Sequence, residues 1–162
     1  RRRSMLLIGY GNSGRCDDGL GPAFAERIAA MRLPDIEIDI DYQLTVDHAL
    51  AVADAERVVF ADALMGSDAP FEFARIHPGA AGSLASHSLT PATVLELART
   101  LYGKEPQAFV LGIAGAEFGE VKEGLSEDAL HNLDLAEAFF LEWLAGRDKN
   151  AGRTGVASEP VF

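Results

Sequence analysis

The sequence predicts a three-layer αβα domain around a five-stranded mixed β-sheet, and three observations carry that prediction. Met5 to Ile8, Val58 to Ala61 and Ala108 to Ala114 are continuous apolar runs, as expected of strands covered on both faces. Helical patterns with their own start signals alternate with the strands in the order β-α-β-α-β-β-α-β-α, which implies helices on both sides of one sheet. The segment between Asp62 and Phe71 is shorter than the dozen or so residues that a parallel crossover requires, so the fourth strand is antiparallel.

The first strand, Met5 to Ile8, runs into Gly9 and Gly11, a strand breaking into a tight loop where the backbone comes close to something, read as a ligand. Pro22 is a good first residue for a helix from Pro22 to Met31 carrying Phe24, Ile28 and Met31, and Pro34 stops it. Ile36 to Asp41 alternates strictly, which fits a strand with one wet face near a sheet edge. Thr45 can cap a short helix bearing Val46, Leu50 and Ala53. Val58 to Ala61, ending in Asp62, is central, and Phe71 to Ile76, interrupted by Glu72 and Arg75, lies outside. Thr90 and Pro91 form an N-cap and first-turn pair for a helix with Val94, Leu97, Ala98 and Leu101 on one face. Ala108 to Ala114 is the last strand. Ser126 caps a long helix to Leu144 that buries Leu133, Ala136, Phe140 and Trp143.

Length and composition place the chain among single-domain globular proteins: 162 residues, 48% hydrophobic and 24% charged. The domain is expected to span residues 5–145, with 1–4 as a remnant ahead of a natural Met5 and 146–162 as a polar tail. A formal charge of −11 repels phosphate backbones, so nucleic acid is not an expected partner. One cysteine excludes an intramolecular disulfide, no apolar run reaches the ~20 residues of a membrane span, and the start lacks a signal-peptide apolar region. A cytoplasmic monomer that does not engage a membrane is the expectation.

Chemistry-bearing residues gather at one end of this topology. Asp18 follows the first strand and Asp62 ends the third, both at the carboxyl edge where open α/β sheets bind ligands. His87 precedes a helix that must run down from the same edge, so two carboxylates and an imidazole converge by connectivity. Such a set suits nickel or zinc better than magnesium. Gly9, Gly11 and Gly14 also spell a dinucleotide-binding fingerprint with Asp35 or Asp39 roughly 20 residues on, but Asp17 and Asp18 would put negative charge where the phosphates belong.

Gly9, Gly11, Asn12, Asp17, Asp18, Gly19 and Gly21, at their spacing after a strand, resemble the hydrogenase maturation proteases, which trim the carboxy-terminal extension from the large subunit of nickel-iron hydrogenases. The resemblance runs from Met5 to about Leu144 and implies a mixed five-stranded sheet of the phosphorylase/hydrolase-like kind. It implies an aspartyl-type endopeptidase acting on a nickel-iron hydrogenase large-subunit precursor after nickel insertion. The metal ligands carried over are Asp18, Asp62 in its Val-Val-Phe-Ala-Asp-Ala context and His87 of a Ser-His segment, with nickel supplied by the substrate and cadmium or zinc able to substitute. Asp18 and Asp41 are the candidate catalytic acids; Gly9, Gly11, Asn12 and Asp17 are the candidate loop and substrate-binding residues. One departure stands out. Many members follow the second strand with an acid and a Gly-Gly-Thr or Gly-Thr turn, whereas this chain reads Asp41-Tyr42-Gln43-Leu44-Thr45.

Bland alternatives exist for each residue: helix N-terminal charge for Asp18, a strand-end turn for Asp62, one of four histidines in a Gly- and Ser-rich loop for His87. His48, His77 and His131 are read as surface or capping residues. Cys16 has no histidine near it in sequence and is not expected to act as a nucleophile. A non-proteolytic metal-binding chaperone of hydrogenase assembly and a small nucleotide-binding oxidoreductase are the competing function classes.

Overall fold

The computed structural model describes residues 3–79 and 89–146. The elements are β1 (Arg3–Tyr10), a 3-10 turn (Cys16–Gly19), α1 (Leu20–Ala30), β2 (Ile36–Asp41), α2 (His48–Ala53), β3 (Ala55–Leu64), β4 (Phe71–Ile76), α3 (Pro91–Tyr102), β5 (Gln107–Ala114) and α4 (Glu127–Leu144). The sheet has five strands in the order β2-β1-β3-β5-β4. β1 pairs in parallel with β2 and β3, β3 pairs in parallel with β5, and β4 runs antiparallel to β5, with Phe71 opposite Ile113. The three apolar runs are therefore the interior strands and the two interrupted ones are the edges, as the pattern requires.

Alternation along the interior strands divides the core into two layers. Met5 and Leu7 of β1, Val59 of β3 and Leu111 of β5 pack with Phe24 of α1 and Phe140 of α4. Leu6, Ile8, Val58, Phe60 and Val110 face the other way, onto Val52 of α2 and Val94 and Ala98 of α3. The first layer is rich in rings: Phe73 stacks on Phe109 at 5.2 Å, and Trp143 meets both edge-on at 5.1 and 4.9 Å.

Element boundaries shift where pairing or packing overrides local signals. β1 starts at Arg3, two residues ahead of the apolar run, because Arg3 finds a parallel partner in Ala55. α1 starts at Leu20, which leaves Pro22 still within the first turn, where no intrahelical N–H is missed. α2 starts at His48 instead of being capped by Thr45. Its buried side is His48, Ala49, Val52 and Ala53, while Val46 and Leu50 are 57% and 53% exposed. The caps at Thr90 and Ser126 form as expected, their hydroxyls accepting from the N–H groups of Thr93 (3.2 Å) and Ala129 (3.1 Å). On α3 the buried face is Thr93, Val94, Leu95 and Ala98, and Leu101 is exposed. Residues 147–162 of the expected tail lie outside the described residues. Among the described residues no helix is long and apolar enough to cross a membrane.

Candidate active site

The turn after β1 is built by glycines that allow close approach of chain to chain. A Cβ on Gly9 would lie 2.4 Å from the Gly21 carbonyl oxygen and 2.6 Å from the Ala25 Cβ, so the close approach is to helix α1 and not to a ligand. Gly11, at φ +145°, is in a region L-residues avoid, and a Cβ there would lie 2.2 Å from the Asp18 carbonyl oxygen. Its N–H donates to the Asp41 carbonyl oxygen at 3.1 Å, tying the loop to the end of β2. Asn12 is the hub of the loop. Its N–H donates to Asp18 Oδ2 (3.0 Å), its Oδ1 accepts from the Gly14 N–H (2.9 Å) and its Nδ2 reaches Tyr42 Oη (3.3 Å).

Asp17, a candidate for substrate binding, faces the interior and is fully buried. Its carboxylate accepts from the N–H groups of Ala116 (2.7 Å), Glu117 (2.8 Å) and Ser126 (2.8 Å) and from the Ser126 hydroxyl (2.6 Å). Burial alone would push its pKa up, but the Ser126 hydroxyl and the three backbone N–H groups hold it below the usual carboxylate value. Asp17 thus fastens the acid loop to the start of α4.

Asp62 lies on the α2/α3 face of β3 and pairs in register with Gly112. Because Gly9 is opposite Ala61, Tyr10 falls beside Asp62, and its phenol donates to that carboxylate. The Ala63 N–H also donates to Asp62 Oδ1 at 2.7 Å. Burial lifts the Asp62 pKa to about 6; the Ala63 N–H and the Tyr10 hydroxyl work against the rise, and the negative charge of Asp18 adds to it. The Tyr10 phenol is pushed up, first by burial and then by the charge of Asp62. A cavity of about 410 Å³ opens here, lined by Tyr10, Gln43, Asp62, Leu89, Thr90 and Gly112. His87 lies outside the described residues, two positions before the cavity-lining Leu89.

Asp41 ends β2 directly beside Tyr10 of β1. Its Oδ1 accepts from the Tyr42 N–H at 2.7 Å, and its Oδ2 lies 3.4 Å from Nε2 of His48. His48, read from the sequence as a surface or capping residue, is 4% exposed and points into the site from α2. The helix starts two residues later than the Thr45 signal suggests, with His48, Ala49, Val52 and Ala53 on its buried side.

The structure thus brings Gly11, Asn12 and Asp18 together with Asp62, sets Asp41 alongside, and turns Asp17 away. Sequence reasoning missed Tyr10 and His48. Tyr10 was recoverable from register, since parallel neighbours of equal phase share a face. The inward turn of His48 depended on the true start of α2. Cys16 is 2% exposed, at φ +51°, with its N–H donating to the Lys122 carbonyl oxygen at 2.7 Å, away from the cleft. Asp18 is close enough for its charge to act on Asp62, and two carboxylates so placed can hold a cation between them.

The fold matches that of solved hydrogenase maturation proteases. No protein-family model matches the chain. The chain is 25% identical over 143 residues to MJ0253, a hydrogenase maturation protease candidate of Methanocaldococcus jannaschii, the match covering 84% of this chain and 93% of that one. Among solved structures it is similar to the [NiFe] hydrogenase maturation protease HycI from Thermococcus kodakarensis, at TM-score 0.68 and 23% identity over 89% of this chain and 94% of that one. It is equally similar in fold to the hydrogenase maturating endopeptidase HybD from E. coli, at TM-score 0.68 and 19% identity over 89% and 93% of the two chains.

Proposed function

We propose that this protein is an endopeptidase that removes the carboxy-terminal extension of a nickel-iron hydrogenase large-subunit precursor once nickel has been inserted. The observation that carries the reading is a cavity lined by Asp62, with Asp18 near enough for its charge to act on that carboxyl, on a chain similar over most of its length to a hydrogenase maturation protease candidate. Nickel enters as part of the substrate. Asp18 and Asp62 offer oxygen ligands and His87 a nitrogen, a set that fits open positions on an ion already held by the precursor.

Cleavage then needs a base for water and a proton for the departing amine. Asp41 or Asp18 takes a proton from the water as its oxygen bonds to the scissile carbonyl carbon. The intermediate expels the new amino terminus, which carries the proton away as the carbon–nitrogen bond breaks. No acyl-enzyme is involved in this scheme, in keeping with the buried position of Cys16. The aspartyl-type assignment rests on the same two acids.

The test mixes purified protein with precursor prepared with and without nickel and follows the large-subunit mass. Shortening of the nickel-loaded form alone supports the whole reading. Equal shortening of both forms leaves a protease that does not read the metal. No shortening of either, with a stable complex formed, leaves the non-proteolytic chaperone.

A further inference from the structure

Asp39, Asp41 and His48 form a cluster that the proposed nickel contacts do not use. One ligand-type atom of each lies within 4.8 Å of the others, a spacing that an ion could bridge. The backbone argues otherwise. Nδ1 of His48 accepts a hydrogen bond from the Thr45 N–H at 3.0 Å, so the Nδ1 lone pair is committed and the neutral ring carries its proton on Nε2. A metal-binding imidazole has the reverse arrangement, with its outer nitrogen donating. The Nε2–H is therefore on the side of the two carboxylates, with the nitrogen 3.4 Å from Asp41 Oδ2 and 3.7 Å from Asp39 Oδ2, close enough for an electrostatic hold.

We infer that His48 is a positioning residue for Asp41, the second candidate acid, an inference that rests on the proteolytic reading above. Asp41 is 47% exposed on a sheet edge, and an unsupported carboxylate there would rotate freely. Instead it is held from two sides. The Tyr42 N–H fixes Oδ1, and the buried imidazole, anchored by Thr45, sets the direction of Oδ2. The Gly11 N–H on the Asp41 carbonyl and the Tyr42 hydroxyl near Asn12 connect this acid to the loop carrying Asp18. The two candidate acids are thus tied into one frame, with α2 supplying the part that the departing Asp-Tyr-Gln-Leu-Thr turn makes possible.

Two substitutions distinguish positioning from packing. His48→Gln places an amide NH₂ near the position of Nε2–H, whereas His48→Leu keeps volume and apolar packing but removes the donor. Positioning predicts that His48→Leu lowers kcat for precursor cleavage about 10- to 100-fold with KM unchanged, while His48→Gln stays within about threefold. Long-range ¹H–¹⁵N spectra of the full chain should show His48 with its proton on Nε2, unmoved by added zinc. Wild-type kcat in His48→Leu, loss in His48→Gln as deep as in His48→Leu, or a proton on Nδ1 overturns the inference. If the wild-type chain cleaves no precursor, the proteolytic reading fails, and the spectra still decide the His48 arrangement on their own.

Discussion

Asp17 and Asp18 are adjacent in the chain and serve opposite sides of it. The Asp17 carboxylate is buried against four donors from the β5–α4 connection and the first residue of the α4 cap, while Asp18 Oδ2 turns to the Asn12 N–H on the cleft side. One acid locates the loop and the other is left half-buried beside Asn12.

That division sets the first prediction. Asp17→Ala strands three backbone N–H groups and a hydroxyl in the interior, and should cost about 3–5 kcal/mol of stability in urea denaturation. Asp18→Ala removes a half-buried charge near another acid and should change stability by no more than about 1 kcal/mol. Equal costs would refute the division.

Asp62 should leave a signature in the pH dependence of folding. Its folded-state pKa of about 6 stands above the ordinary 3.8, so the folded protein holds this proton more tightly than the unfolded chain does. The stability it contributes is full below the ordinary value and is lost as pH rises through about 6. Asp17 has the opposite sign: its contribution is present above the ordinary value and lost as pH falls through its depressed one. Asp62→Asn should therefore match the wild type near pH ~4 and exceed it by roughly 1–3 kcal/mol near pH ~7. A difference independent of pH would refute the raised pKa.

Divalent binding tests the ligand set without any precursor. Calorimetry with nickel, zinc or cadmium should find one weak site, abolished in Asp62→Ala and weakened at least tenfold in His87→Ala, because removing one of three ligands removes a bond the others cannot replace. Unchanged binding in either variant means the ion sits elsewhere.

Glycine positions differ sharply in what they tolerate. A Cβ at Gly21 would lie 2.4 Å from the Tyr10 carbonyl oxygen and 2.5 Å from that of Ala61, both backbone atoms of neighbouring strands. Gly21→Ala should abolish folding or lower stability by more than about 3 kcal/mol. Gly66 has nothing within 4 Å at its Cβ position and only its φ of +76° to defend, so Gly66→Ala should cost about 1 kcal/mol.

The thiol of Cys16 should be silent in the native protein. It is buried, with Sγ 3.8 Å from the Glu120 carbonyl oxygen, so iodoacetamide should label it only at the rate of opening or unfolding. Rapid labelling of folded protein, or loss of cleavage in Cys16→Ala, would reopen the nucleophile.

The division into interior and edge strands, the antiparallel β4 and two of the helix caps were legible because each follows from a local rule: continuous apolar runs are interior, short links cannot cross over, and hydroxyls before a helix cap it. The carboxyl-edge location of Asp18 and Asp62 followed from the same connectivity. Asp17 was read as a loop or substrate-binding residue, and its burial against the β5–α4 connection was not legible because its donors lie about a hundred residues away. The glycines signalled close approach but not its partner, which is the chain's own helix. His48 escaped notice because a six-residue helix carries too little periodicity to fix its phase.

The interlock of Gly9, Gly11 and Gly21 has a practical consequence for redesign. Strand, loop and helix touch backbone to backbone there, so a side chain added at Gly9, Gly11 or Gly21 has nowhere to go and would carry the acid loop out of place. The opposite wall of the cleft is different: Tyr42, Val46 and Asp47 are exposed between β2 and α2. Tyr42 is tied to Asp41 and Asn12, so Val46 and Asp47 are the two positions of that wall where a change of side chain leaves the frame in place.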